Sequence, residues 1–209
     1  MQTPPARPTM TAPLGVILAG GRALRMGGGD KGLLPLGQGT LLDHVVDRLG
    51  PQVADLALNV NGDPARFARF GLPVLPDSVP GNAGPLAGVL AGLDWAAGQG
   101  ATAIVTAAAD TPFLPQDLVP RLLLAAEDAG APIALAATAS GRHPTFGLWP
   151  VALRDDLRAA LASGTRKVTD WADRHGAAMA PFPDTPWDPF FNVNTPEDLA
   201  RAQAMAAAG

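Results

Sequence analysis

Along this chain, fully apolar runs alternate with segments whose apolar residues recur every three or four positions, and the switching between the two patterns outlines the fold. The first run, residues 14–20 (LGVILAG), is apolar until its last residue, as a strand covered on both faces must be. Further on, residues 40–50 (TLLDHVVDRLG) put Leu41, Leu42, Val45, Val46 and Leu49 on one helical face with Gly50 as a stop. Residues 55–62 (DLALNVNG) predict a second strand, 64–71 (PARFARFG) a short helix, 72–77 (LPVLPD) a third strand and 84–97 (GPLAGVLAGLDWAA) another helix. The run 102–110 (TAIVTAAAD) is a strand that stays apolar until its terminal carboxylate, and 114–130 follows as a helix despite Pro120. Strands at 132–139 and 144–150 precede helices at 151–164 and 167–176. The final helix carries a start signal, with Thr195 as N-cap, Pro196 at the first helical position and Asp198 completing a capping box. Such alternation predicts an α/β fold on a mostly parallel sheet.

Neither a repeat nor an internal linker interrupts this pattern, and 209 residues suffice for one domain rather than two. Residues 1–13, with Pro4, Pro5 and Pro8 among small polar residues, read as a disordered tail, leaving 14–209 as the domain. The start lacks the apolar core of a secretory signal and no run is long enough for a membrane span, so the expectation is a cytoplasmic protein that meets no membrane. A net charge of −4 argues against nucleic acid as a partner, so any anion site must be local. The absence of cysteine excludes disulfides, thiolate metal sites and a cysteine nucleophile.

Positive charge is concentrated directly after the first strand. Residues 18–32 (LAGGRALRMGGGDKG) hold six glycines, Arg22, Arg25 and Lys31. In an open α/β sheet the ligand binds beyond the carboxyl ends of the strands, which is where this loop lies. Bare backbone lets N–H groups approach phosphate oxygens, and the cations neutralise them, so a polyphosphate is the natural ligand. The stretch is not a P-loop, because Lys31 is preceded by Asp30 and followed by Gly32 rather than by a hydroxyl. Residues 27–32 match G-x-G-x-x-G, but too far past the strand and without opening a helix directly. A plain glycine-rich surface loop stays open as the alternative.

The same stretch, extended through residues 33–49 (LLPLGQGTLLDHVVDRL), resembles the N-terminal signature of the molybdenum cofactor guanylyltransferases, with LAGG, RMG and DKG in order. The resemblance continues through NVN at 59–61, LPDS at 75–78, GPLAGVLAGL at 84–93, ADTPFLP at 109–115, HPTFGLW at 143–149 and FNVNTPEDLA at 191–200. It implies a single-domain, Rossmann-like three-layer sandwich similar to the nucleotide-diphospho-sugar transferases. It also implies an enzyme that uses GTP and Mg²⁺ to attach GMP to the terminal phosphate of molybdopterin and releases pyrophosphate. The carry-over makes Lys31 the phosphate cation, Arg25 its helper and Asp110 the Mg²⁺ ligand. Leu18, Ala19, Gly20 and Gly21 would contribute backbone to the nucleotide, Asn59 an amide, and Asp77 a carboxylate for guanine N–H groups.

Related cytidylyltransferases carry alanine where this chain has Gly20, so the missing methyl would make room for a purine. His143, Arg166 and Lys167 fall in segments that would face the pterin, as would Asn192 and Asn194, whose amides could meet either metal or substrate. Ordinary roles compete for several of these residues: a turn for Asn59, Asp77, Asp110 and Asn194, and a satisfied core histidine for His143. Trp149, Trp171 and Trp187 read as core or lid. The alanines before Asp110 depart from a bulkier family pattern, which should alter packing and not chemistry. By resemblance and size the chain should be a monomer, with only transient contacts to cofactor-inserting proteins. The competing functions are transfer of CMP to molybdopterin, transfer of a nucleotide to another phosphorylated metabolite, and non-catalytic cofactor carriage.

Overall fold

The computed structural model describes residues 12–20, 29–80 and 84–208. In chain order these form β1 (Leu14–Leu18), β2 (Pro35–Leu36), β3 (Gly39–Thr40), α1 (Leu41–Leu49), β4 (Leu56–Asn59), β5 (Val74–Leu75), α2 (Pro85–Gly98), β6 (Ala103–Ala108), α3 (Leu118–Ala129), β7 (Ala134–Thr138), β8 (Gly141–Pro150), α4 (Arg154–Ala162), α5 (Val168–Arg174), β9 (Ala178–Pro181) and α6 (Pro196–Ala208). Residues 64–71, expected as a short helix, form the 3-10 helix Pro64–Phe70 with Gly71 in the left-handed conformation at its end. Pro13, assigned by sequence to the tail, is buried, and its carbonyl accepts from the Ala54 N–H.

Seven strands make one sheet in the order β5-β4-β1-β6-β8-β7-β9, parallel except for β8. Alternate residues along each central strand enter opposite layers. Leu14 and Val16 of β1, with Ile104 of β6, pack under α2, α4 and α5, whereas Ile17 and Ala19, with Val105 and Ala107, pack under α1 and α3. The three-layer sandwich explains why these strands read as unbroken apolar runs. A third cluster, Leu36, Leu41, Phe113, Val193 and Ala202, fastens α6 against the β2–β3 hairpin. Trp149 and Trp171 are core residues, their indole N–H groups donating to Thr106 Oγ1 at 2.9 Å and Asp156 Oδ1 at 2.8 Å, while Trp187 is exposed. No helix among the described residues is long and apolar enough to cross a membrane.

Two strands depart from the sequence reading, and the expected helix around Pro120 is present. β8 begins earlier than expected and runs antiparallel to both neighbours, because two residues separate it from β7 and so short a connection closes only as a hairpin. β9 was not foreseen: it is a four-residue edge strand, half exposed, with too little alternation to register. Pro120 is tolerated because it stands third in α3, where its missing N–H would have had no helical partner.

The N-terminus of α1 is held by charge. Thr40 caps it, the Asp43 carboxylate accepts from the Thr40 N–H at 2.7 Å, and the Arg69 guanidinium donates to both Asp43 oxygens at 2.7 and 3.1 Å. Burial alone would raise the Asp43 carboxyl, but Arg69 and Thr40 outweigh it and hold it below the ordinary value of 3.8. A lowered folded-state pKa means that the contribution is complete above 3.8 and is lost as the pH falls through the lower folded value. An Asp43→Asn variant is therefore expected to melt below the wild type near neutral pH, with the gap closing as the pH falls below 3.8; calorimetry across that range checks this. A gap that persisted unchanged in acid would show that the pair carries no such linkage.

Candidate functional site

Because β1, β4, β5 and β6 are parallel, their carboxyl ends meet at one edge of the sheet, where a cleft of about 380 Å³ opens. Leu18 and Gly20 line it after β1, Asn59 and Asn61 after β4, Asp77 after β5, and Ala108 and Asp110 after β6. Thr145 from antiparallel β8, Gly84 and Pro85 at the start of α2, and Asn192 close the rest.

At one end of the cleft the polar groups are amides and a carboxylate. Asn59 is 5% exposed, its Nδ2 donating to Leu75 O at 3.1 Å and to Asp77 Oδ1 at 3.0 Å. Asn61 grips the same residue from outside: Nδ2 donates to Asp77 Oδ2 at 2.8 Å and Oδ1 accepts from the Asp77 N–H at 3.0 Å. Both carboxylate oxygens are thus oriented, and each retains a lone pair for a ligand N–H. Gly88 of α2 permits this arrangement, since a Cβ there would sit 2.2 Å from Asn59 Oδ1 and 2.7 Å from Leu18 Cδ2.

The other end is ionic. Lys31 opens a short 3-10 helix, Lys31–Leu33, that packs so tightly that a Cβ on Gly32 would lie 3.2 Å from Ala109 Cβ. Lys31 Nζ consequently reaches Asp110 Oδ2 at 3.2 Å and also donates to Asn194 Oδ1. The two side chains of this pair are 17% and 16% exposed. With its amide turned so that nitrogen faces the carboxylate, the orientation that satisfies both groups, Asn192 donates to the two Asp110 oxygens at 2.8 and 2.6 Å. Burial pushes the Asp110 carboxyl above its ordinary value, against the opposing pull of Lys31. The Asn segment is brought in by Val193, whose N–H donates to Asp110 O, and by Asp198, whose carboxylate accepts from the N–H groups of Asn194 and Thr195 in the expected capping box.

The donor chemistry here fits one kind of metal. Among the described residues no three of His, Cys, Asp and Glu cluster for a closed cage. One carboxylate, with an amide oxygen that a half-turn of Asn192 would present beside it, suits a hard ion that takes its remaining ligands from water and phosphate.

Lys31, Asp110, Asn192, Asn194, Asn59, Asp77, Leu18 and Gly20 thus come together, and the buried Ala19 ties the edge by donating its N–H to Asn59 O at 2.9 Å. Gly21 and Arg25 lie outside the described residues. His143 is set apart, stacked on Phe190 at 4.4 Å with Nε2 2.9 Å from Thr138 Oγ1. Burial lowers its pKa although Asp188 raises it, so it is a neutral hydrogen-bonding group near neutral pH. Arg166 and Lys167 line a neighbouring groove with Thr165, Asp170 and Arg174, and Arg166 O lies 3.9 Å from where a Gly84 Cβ would be. Asn61, Gly84 and Thr145 were not assigned from sequence; the spacing of two between Asn59 and Asn61 at a strand end was the available signal for the first.

Comparison with known proteins identifies the family. The family model for the MobA-like NTP transferase domain matches residues 15–178. The molybdenum cofactor guanylyltransferase of Mesorhizobium japonicum is 57% identical over 91% of this chain and 94% of its own length. That of Rhodopseudomonas palustris is 54% identical over 99% and 95% respectively. Among solved structures, molybdopterin-guanine dinucleotide biosynthesis protein A from Archaeoglobus fulgidus superposes with a TM-score of 0.72 at 23% identity, covering 94% of this chain and all of that one. The 4-diphosphocytidyl-2C-methyl-D-erythritol synthase of Anaerococcus prevotii shares the fold with a TM-score of 0.70 at 14% identity, over 94% and 96% of the two chains.

Two glycines beside the cleft should respond in opposite ways to an added methyl. Gly88→Ala overpacks Asn59 and Leu18 and is expected to cost about 1–3 kcal/mol of stability. Gly20→Ala meets no atom of the described residues within 4 Å, so its melting temperature should match the wild type. Equal melting of both variants would contradict the packing described for Asn59.

Proposed function

The chain belongs to the MobA-like NTP transferase family, and on that premise we propose that it transfers GMP from GTP to the terminal phosphate of molybdopterin, releasing pyrophosphate and forming molybdopterin guanine dinucleotide, with Mg²⁺ as its metal. The observation that carries this reading is the cleft with a base-reading carboxylate at one end and a paired lysine and aspartate at the other. Guanine presents N1–H and an exocyclic amino group, which match the two oriented oxygens of Asp77. Among the described residues nothing lies within 4 Å of a Cβ at Gly20, where a side chain would otherwise intrude on a purine.

The acceptor phosphate needs no general base, because its second pKa is near 6 and it is already largely ionised. The task of the protein is to align two anions and to neutralise the charge that develops on pyrophosphate. Lys31 supplies a cation within the site; incoming phosphate oxygens would compete with Asp110 and Asn194 for its three N–H donors. Asp110 and Asn192 would hold Mg²⁺, which when bound neutralises phosphate oxygens and polarises the reacting phosphorus. Arg25 would assist at the phosphates. Arg166 and Lys167, in the groove adjoining Gly84, suit the anionic pterin, with neutral His143 limited to hydrogen bonding. We assign the reaction to a cytoplasmic monomer.

Lys31→Ala and Asp110→Ala are each expected to lower pyrophosphate release from GTP and molybdopterin by roughly 10²–10³-fold or more while retaining cooperative melting. In the wild type, GTP with Mg²⁺ at a hundred times its dissociation constant should raise the melting midpoint by roughly 5–10 °C. Undiminished turnover in both variants would remove the assigned site. Release of pyrophosphate from CTP in place of GTP would change the substrate, and a chain that releases none with any acceptor would be a carrier.

A further inference from the structure

The 3-10 helix Pro64–Phe70 has no part in the chemistry above, yet its sequence, PARFARF, repeats with the period of its own turn. A 3-10 helix makes one turn in three residues, so residues three apart stand above one another. Phe67 and Phe70 therefore share one face, with Phe67 1% exposed in the core, and Arg66 and Arg69 share another. Each guanidinium also lies over the neighbouring ring, at 5.4 Å for Arg66 on Phe67 and 4.2 Å for Arg69 on Phe70.

The two arginines reach either end of the segment that carries Lys31. Arg69 holds Thr40 and Asp43 at the start of α1. Arg66 uses its fork more widely: Nε donates to Asp63 O at 3.0 Å, Nη2 to Asn61 O at 3.1 Å, and Nη1 to Asp30 Oδ2. The Asp30 side chain is 11% exposed and that of Arg66 38%, so this charge-assisted pair is sheltered on its carboxylate side while the guanidinium is open to solvent. Asp30 adjoins the phosphate-end lysine, and Asn61 is the residue that orients Asp77 at the base end. One planar group thus spans the two ends of the cleft, 36 residues apart in sequence at the Arg66–Asp30 contact.

We infer that Arg66 is a positioning residue that sets the distance and angle between the phosphate site at Lys31 and the base site at Asn61 and Asp77. It touches neither ligand end itself. Its contribution is alignment: a nucleotide that engages both ends gains from their being held in register, whereas a fragment that engages one end does not. Lysine cannot replace it, because a single ammonium on a flexible stem cannot bridge two fixed acceptors as a fork does. The inference rests on the nucleotide reading of the cleft, but not on which base is bound.

The test compares three ligands on the full chain by calorimetry or inhibition: GTP, guanosine and pyrophosphate, each against wild type, Arg66→Gln, Arg66→Lys and Asp30→Asn. Loss of the fork is expected to weaken GTP roughly 10- to 100-fold, the range seen when supporting partners of a binding group are removed. Guanosine and pyrophosphate should change less than threefold. Arg66→Lys should resemble Arg66→Gln, and the double variant Arg66→Gln/Asp30→Asn should be no worse than either single one, since both break the same bridge. Equal weakening of GTP and both fragments would reduce Arg66 to a general structural residue, and unchanged GTP binding would overturn its role outright. If the wild type prefers another triphosphate to GTP, the guanylyl reading falls, and the same comparison run with that nucleotide, its nucleoside and pyrophosphate still decides the role of Arg66.

Discussion

Covering both faces of β1, β4 and β6 leaves polar side chains only one outlet, the carboxyl edge of the sheet, and the rest of the molecule is arranged around that constraint. Within the strands the exceptions are Thr106, whose hydroxyl is paired with Trp149 in the core, and Asn59, which stands at the last position of β4. Helix α2 can lie close over that edge because Gly88 has no side chain to displace Asn59. On the opposite layer Gly32 lets the Lys31 turn settle against Ala109. Two close approaches, one on each face, therefore bring the amide end and the ionic end of the cleft to a common height at the top of β1.

The ionic end is a balance between burial and pairing. A carboxylate with so little exposure pays a desolvation cost that one lysine does not fully offset, which is why Asp110 is harder to ionise than a free aspartate. The Asn192 and Asn194 amides divide the remaining hydrogen-bonding demand, one serving Asp110 and the other Lys31. On the proposed reading a divalent ion would meet the demand left at Asp110 and a phosphate would meet that of Lys31, so each ligand would take over part of what the pair now supplies to itself.

Much of this was legible in the residues. The almost wholly apolar run ending in Asp110 announced a doubly covered strand with a carboxylate at its mouth, and Thr195 and Asp198 announced the last helix. The resemblance to the guanylyltransferases also pointed to Lys31, Asn59, Asp77, Asn192 and Asn194, which the fold gathers into one place. What was not legible depended on partners distant in sequence. The direction of β8 follows from a two-residue connection, and β9 exists because β7 offers a free edge, neither of which is a property of local periodicity. Asn61 and Arg66 received no role from the sequence because their partners, Asp77 and Asp30, lie 16 and 36 positions away. His143 shows the converse: a residue drawn from a motif that, in space, sits on Phe190.

The contact between Lys31 and Asn194 joins residues 163 apart, and Lys31 and Asp110 are separated by 79. Strands β1, β4 and β6 and the helices between them can pair as soon as the first half of the chain is available, whereas the amides at 192 and 194 arrive last during synthesis. A nascent chain therefore exposes a buried-type lysine and aspartate to each other before either has its full set of partners. The segment that carries these amides is the last of the described site elements to be made, so the ionic end of the cleft is complete only once residue 194 has been synthesised.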